Sequence, residues 1–133
     1  MPNVVVSKLE IIDRCLQRVN EEFGADFKEN FTKQDSVILN LERASQAAMD
    51  IAAHIIKVRN LGVPKSSKNL FEILYENGYI TKEVSSNLKK MVAFRNIAVH
   101  SYQDLNLDIV VSVVKEHLND FKEYKKEIIE SFL

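Results

Sequence analysis

Apolar residues recur at intervals of three and four along almost all of this 133-residue chain, and that spacing restricts the fold to amphipathic helices packed on one another. Leu9, Ile12, Leu16, Val19 and Phe23 form the first such line, with Ser7 as its expected N-cap and Gly24 as its stop. The polar segment 25–33, which carries Phe27 and Phe31, is expected to be an irregular connection. Asp35 then reads as the cap of a long second helix. Its apolar line, Ile38, Leu41, Ala44, Ala48, Ile51, Ala52 and Ile55, runs on to about Val58. The alanines between Ala44 and Ala53 leave room for another helix to approach closely.

Leu61-Gly62-Val63-Pro64-Lys65-Ser66-Ser67 is the clearest break, with glycine to end a helix and proline to prevent its continuation. A short helix follows from Leu70 to Glu76, and Asn77-Gly78 turns the chain. Thr81 opens the next helix, with Glu83 in its first turn and Val84, Leu88, Met91 and Val92 on its apolar face. After Tyr102, Gln103-Asp104 forms a connection. Ile109, Val110, Val113, Val114, Leu118 and Phe121 mark a last helix reaching toward Ile128 and Ile129. No alternating strand pattern, glycine-rich phosphate loop or internal repeat interrupts this. The expected architecture is all-α: an antiparallel bundle of four main helices plus a short one, in a single domain over residues 1–133.

A net charge of −1 and a pI near 6.3 exclude coating of nucleic acid by bulk electrostatics, so any such binding needs a local patch. The single cysteine, Cys15, lies on an amphipathic segment and reads as a buried structural thiol. No basic region followed by a signal-length apolar run is present at the start, and no membrane-length apolar stretch occurs. A soluble cytoplasmic protein is expected.

The chemistry-bearing residues concentrate in Arg95-Asn96-Ile97-Ala98-Val99-His100-Ser101-Tyr102. Arginine can hold a phosphate, histidine can move a proton near neutral pH, and a phenol can contact phosphate oxygens or itself be modified. On a regular helix Arg95 and Tyr102 lie within about 20° of each other, and Asn96 and His100 within about 40°, which suits Asn96 to orient the imidazole. Arg95 and His100 diverge by about 140°. They meet only if long side chains wrap, the helix ends near His100, or a second subunit supplies the partner. Lys89 and Lys90 are candidates for the local basic patch. His54 and His117 have no neighbours at metal-ligand spacing and read as surface or satisfied core histidines.

The string Met91 to Tyr102 resembles the signature of HepT-like toxins of the HEPN superfamily, in which an arginine is followed at this spacing by histidine, any residue and tyrosine. The resemblance extends to Asp35–Ala44 and Asp50–Ile55 in the second helix, to Val63-Pro64-Lys65-Ser66, and to Phe71–Leu74 and Asn77–Ile80. It implies a HEPN-like helical homodimer whose two motifs line a shared cleft, and a metal-independent endoribonuclease with no cofactor. Arg95 and His100 would be catalytic, with Asn96 and Tyr102 supporting them. The RNA 2′-hydroxyl would act as nucleophile, leaving a 2′,3′-cyclic phosphate and a 5′-hydroxyl. The resemblance further implies an MntA-type nucleotidyltransferase antitoxin that transfers AMP to Tyr102, adding bulk and negative charge where substrate phosphate should sit.

Two positions depart from the family pattern. Gln46 stands where many relatives carry an acid, and Asn106 where an aspartate commonly follows the tyrosine, which bears on how His100 is tuned. The face from Glu42 to Asp50 is a further candidate to contribute a polar group to the cleft. The alternative reading is a noncatalytic HEPN module that binds nucleotides or a nucleotidyltransferase.

Overall fold

Val5 is fully buried and lies four residues before Leu9, so the first apolar line begins one turn earlier than the spacing from Leu9 suggests. In the computed structural model, which describes residues 2–133, helix α1 accordingly spans Pro2–Glu22. Ser7 is therefore not a cap; it lies exposed on the outer face of this helix. Phe23 still donates to Val19 at 2.9 Å, so α1 closes next to the expected Gly24.

The connection to the second helix is more ordered than its polar composition suggests. A 3-10 turn covers Phe27–Glu29, with Phe27 buried. The buried Gln34 side chain clamps it, donating to the Phe27 and Lys28 carbonyls at 2.9 and 3.0 Å. Helix α2 spans Phe31–Val58, and its cap is Asn30, whose side chain accepts from the Lys33 N–H at 3.0 Å. Asp35 sits a turn inside the helix. The true first turn escapes periodicity because Phe31 and Thr32 are exposed and contribute nothing to the apolar line.

Helix α2 ends where Asn60 takes a left-handed conformation, φ 54°. Leu61 N–H reaches the Ile56 carbonyl at 3.0 Å and Asn60 N–H the Lys57 carbonyl at 3.4 Å, a Schellman closure. Asn60 thus does what the sequence assigned to Gly62. Helix α3, Ser67–Glu76, closes in the same way on Gly78 at φ 81°. Thr81 caps α4, Lys82–His100, as expected. Glu127 from the last helix accepts from both the Thr81 N–H, at 2.6 Å, and its hydroxyl, at 3.0 Å. A 3-10 turn at Tyr102–Asp104 leads to α5, Leu107–Ser112, which runs through a π-helical segment, Val113–His117, into α6, Leu118–Ser131.

The buried residues of these elements form one contiguous core. The face of α2 carrying Ala44, Ala47, Ala48, Ile51, Ala52 and Ile55 lies at its centre. Tyr124 of α6 is fully buried, stacks edge-on against Phe71 at 5.7 Å, and donates its hydroxyl to the Ala48 carbonyl at 2.9 Å. That bond requires a side chain at position 48 small enough to expose its own backbone. The all-helical arrangement of four main helices and a short one is as read from the sequence. Among the described residues no helix is long and apolar enough to cross a membrane.

Replacing Asn30 by Ala should lower unfolding stability by about 1 kcal/mol, read as a shifted denaturant midpoint with an unchanged slope. No shift would show that α2 is not capped there.

Candidate active site

Helix α4 runs along α2, and the motif is fastened to α2 at two points. Arg95, half-buried, donates from Nη2 to Gln46 Oε1 at 3.0 Å and from Nη1 to its neighbour Asn96 at 3.4 Å. Tyr102 donates its hydroxyl to Asp35 through a short hydrogen bond. Asp35 and Gln46 are eleven residues apart on α2, which places them within about 20° of one face and ~16 Å apart along the axis.

Gln46 is held in turn. Its Nε2 donates to Asp50 Oδ1 at 2.8 Å, and Lys8 of α1 donates to Asp50 Oδ2 at 3.0 Å. Arginine offers only donors and the carboxylate only acceptors, so the Gln46 amide has a single satisfied orientation between them. The resulting row, Lys8, Asp50, Gln46 and Arg95, joins three helices. A neutral amide positions the guanidinium without cancelling its charge, whereas an acid there would pair with it directly. Arg95 Nε is buried and has no hydrogen-bond partner among the described residues; the donors left for an anion are the remaining Nη hydrogens.

His100 is the last residue of α4 and is exposed. Asn96 bonds Arg95 rather than the imidazole, so the orienting role expected for it is not seen in this arrangement. Neither departure from the family pattern touches His100: Gln46 holds Arg95, and Asn106 caps α5, accepting from the Asp108 N–H at 2.7 Å. Lys89 turns to Glu72 of α3 at 3.4 Å, and Lys90 is exposed. Ile97 and Val99 of the motif are exposed, as is Ile109 of α5. An apolar groove of about 290 Å³ lies beside the motif, with Phe94, Ile97, Leu105 and Val113 in its wall.

Cys15 and His117 lie outside the motif, each on the wall of a neighbouring groove. Cys15 is buried, and burial raises its thiol pKa. His117 Nδ1 lies 3.1 Å from Asp120, and no group of three His, Cys, Asp or Glu among the described residues is arranged to hold a metal. Asp35 was missed as a site residue because it reads so naturally as a cap. Its alignment with Gln46 on one face of α2 is the signal that could have found it.

Burial, the hydrogen bond to Asp35 and the charge of its carboxylate together push the Tyr102 phenol up from 10.0 to about 12. A raised folded-state value favours the neutral phenol, so its stabilising contribution is complete below about pH 10 and is lost as pH rises toward about 12. Tyr102→Phe should therefore lose less stability than the unsubstituted protein across that interval in alkaline unfolding experiments. Parallel losses would contradict the Asp35–Tyr102 pairing.

Residues 8–128 match the family model described as Ribonuclease HepT-like. The chain is 51% identical over 126 residues to the mRNA nuclease HepT of Shewanella oneidensis, covering 93% of this chain and 95% of that protein. It superposes with a TM-score of 0.93 on a toxin–antitoxin structure with AMP-PNP, at 48% identity over 96% of this chain and 98% of the other. It also superposes, again with a TM-score of 0.93, on a tri-AMPylated Shewanella oneidensis HEPN toxin in complex with its MNT antitoxin. That match is at 49% identity and covers 98% and 99% of the two chains. From its motif, its helical order and these likenesses, the chain belongs to the Ribonuclease HepT-like family.

Proposed function

We propose that this protein is the toxin of a toxin–antitoxin pair, a metal-independent endoribonuclease that acts in the cytoplasm as a homodimer. The observation that carries the reading is the division of labour along α4. Arg95 is fixed on Gln46 with donors to spare, while His100 ends the same helix exposed. A chain half identical to an mRNA nuclease, with the matching motif intact, supports the same chemistry.

Cleavage proceeds by attack of the 2′-oxygen on the adjacent phosphorus, with rupture of the bond to the 5′-oxygen. The 2′-hydroxyl proton is lost and the leaving 5′-oxygen gains one, leaving a 2′,3′-cyclic phosphate and a 5′-hydroxyl. Arg95 binds the scissile phosphate and stabilises the charge that builds on its non-bridging oxygens; a planar permanent cation suits that task. His100 moves the proton, a step typically worth about 10²–10⁴ in rate. Asn96 stays next to Arg95, and Tyr102 contacts the phosphate or the neighbouring nucleotide.

Arg95 turns inward to α2, and His100 is exposed at the helix end. A second copy packed against exposed Ile97 and Ile109, which line one groove, would bring the histidine of one chain toward the arginine of the other. The regulatory partner is an MNT-type nucleotidyltransferase that transfers AMP to Tyr102, the tyrosine that matches the family motif. The solved relative that is AMPylated in complex with its MNT antitoxin supports this. An adenylate on the exposed Tyr102 hydroxyl would break its bond to Asp35 and set a phosphate beside the substrate phosphate, excluding RNA by charge and bulk.

Purified protein incubated with mixed RNA in EDTA should cleave it to cyclic-phosphate ends. His100→Ala should lower the rate by about 10²–10⁴ with unchanged helical content, and protein carrying adenylate on Tyr102 should be inert. Full cleavage by His100→Ala would remove the histidine from the mechanism.

A further inference from the structure

The neutral-to-acidic chain needs a local cationic surface if it is to hold RNA, and Lys89 and Lys90 do not form one: Lys89 is paired with Glu72. A groove of about 720 Å³ lies elsewhere, between α1 and α2. Arg14 and Arg18 enter it from α1, four residues apart and so on one face, and Arg43 enters it from α2. Against these three cations stand Glu21 and Asp35. Glu21 and Glu22 lie 3.8 and 3.9 Å from Arg18, and Asp35 is engaged by Tyr102. Arg14 and Arg43 have no carboxylate within ion-pair distance among the described residues. They stand on different walls of the groove, Arg14 on α1 and Arg43 on α2.

The groove meets the motif at one residue, Asp35, which lines it and accepts from the Tyr102 hydroxyl. Asp35, Leu39 and Arg43 all line it at intervals of four, one line ~12 Å long on α2. At one end of that line Asp35 holds the Tyr102 hydroxyl, and at the other stands Arg43. Leu39 lies between them and Ile11 also lines the groove, apolar surface on which a base can rest while its phosphate faces the arginines.

We propose that the groove of Arg14, Arg18 and Arg43 binds the phosphodiester backbone of the single-stranded RNA substrate on one side of the scissile phosphate, the strand turning past Tyr102 and running back along α2. The inference deepens the ribonuclease reading and rests on it for the identity of the strand. Its ligand is a chain of phosphates and not a lone anion, because the cations are spread along a track instead of gathered around a point. Base identity plays no part, which fits arginines that meet the backbone alone.

The test is the salt dependence of binding to a labelled 20-nucleotide single-stranded RNA, compared between the unsubstituted protein and the double variant Arg14→Gln/Arg43→Gln. Loss of two phosphate contacts should reduce the slope of log K against log salt by about 1.4, so that the affinity lost between 50 and 200 mM salt shrinks about sevenfold. Arg14→Lys/Arg43→Lys, which keeps the charge, should restore the slope. Cleavage of a dinucleotide, too short to reach the groove, should be the same in all three proteins. An unchanged slope in the glutamine variant overturns the proposal, whether or not that variant loosens the complex with an MNT-type antitoxin. Equal impairment on the dinucleotide also overturns it, since the arginines would then act on the motif itself. If the unsubstituted protein cleaves neither RNA but the slope difference persists, the ribonuclease reading fails and the groove stands.

Discussion

Close approach to the alanine-bearing face of α2 is the constraint on which the rest of the molecule depends. Ala44, Ala47, Ala48 and Ala52 are buried there, and small side chains let neighbouring helices come near the α2 backbone itself. The bond from the Tyr124 hydroxyl to the Ala48 carbonyl records how near α6 comes. Likewise, the closeness of α4 lets Arg95 reach Gln46, and that of α1 lets Lys8 reach Asp50. A bulky residue among these alanines would push the helices apart by more than a hydrogen bond tolerates, and the site would loosen before the core failed.

The site follows from that packing with little added. A long arginine normally pays rotamer entropy to bind a phosphate; here Gln46 holds it in advance, and Asp50 and Lys8 hold Gln46. The amide at position 46 positions the cation without neutralising it, which preserves its charge for a substrate. Tyr102 is fastened in a different way, by a carboxylate whose only call on it is its proton. The two anchors keep the motif's ends in register with α2 while His100, at the end of α4, remains exposed.

Much of this was legible in the sequence where packing and periodicity coincide. Leu9 to Val19, Ile38 to Ile55 and Val84 to Val92 bury the faces their spacing indicated, and Thr81 caps the helix it was expected to cap. Ser7 and Asp35 misled because a good capping residue can also lie exposed on the outside of a helix, and only the next buried residue, Val5, or the next cap, Asn30, tells the difference. The π segment at Val113–His117 left no mark, since Val113 and Val114 both bury and a one-residue widening disappears within the ordinary alternation of three and four. Within the site, the motif residues were visible as chemistry, and the face from Glu42 to Asp50 was a candidate. Asp35 and the specific attachment of Arg95 to Gln46 depend on which face of α2 meets α4, a tertiary fact that no local pattern carries.

The central claim is that Arg95 and His100 act on one phosphate from two different chains. Mixing Arg95→Ala protein with His100→Ala protein, each inactive alone, tests it most directly, because a mixed dimer then contains one site with both residues intact. The account predicts that RNA cleavage reappears on subunit exchange between the two variants. Continued inactivity of a verified mixed dimer would contradict it, and would return both residues to a site within a single chain.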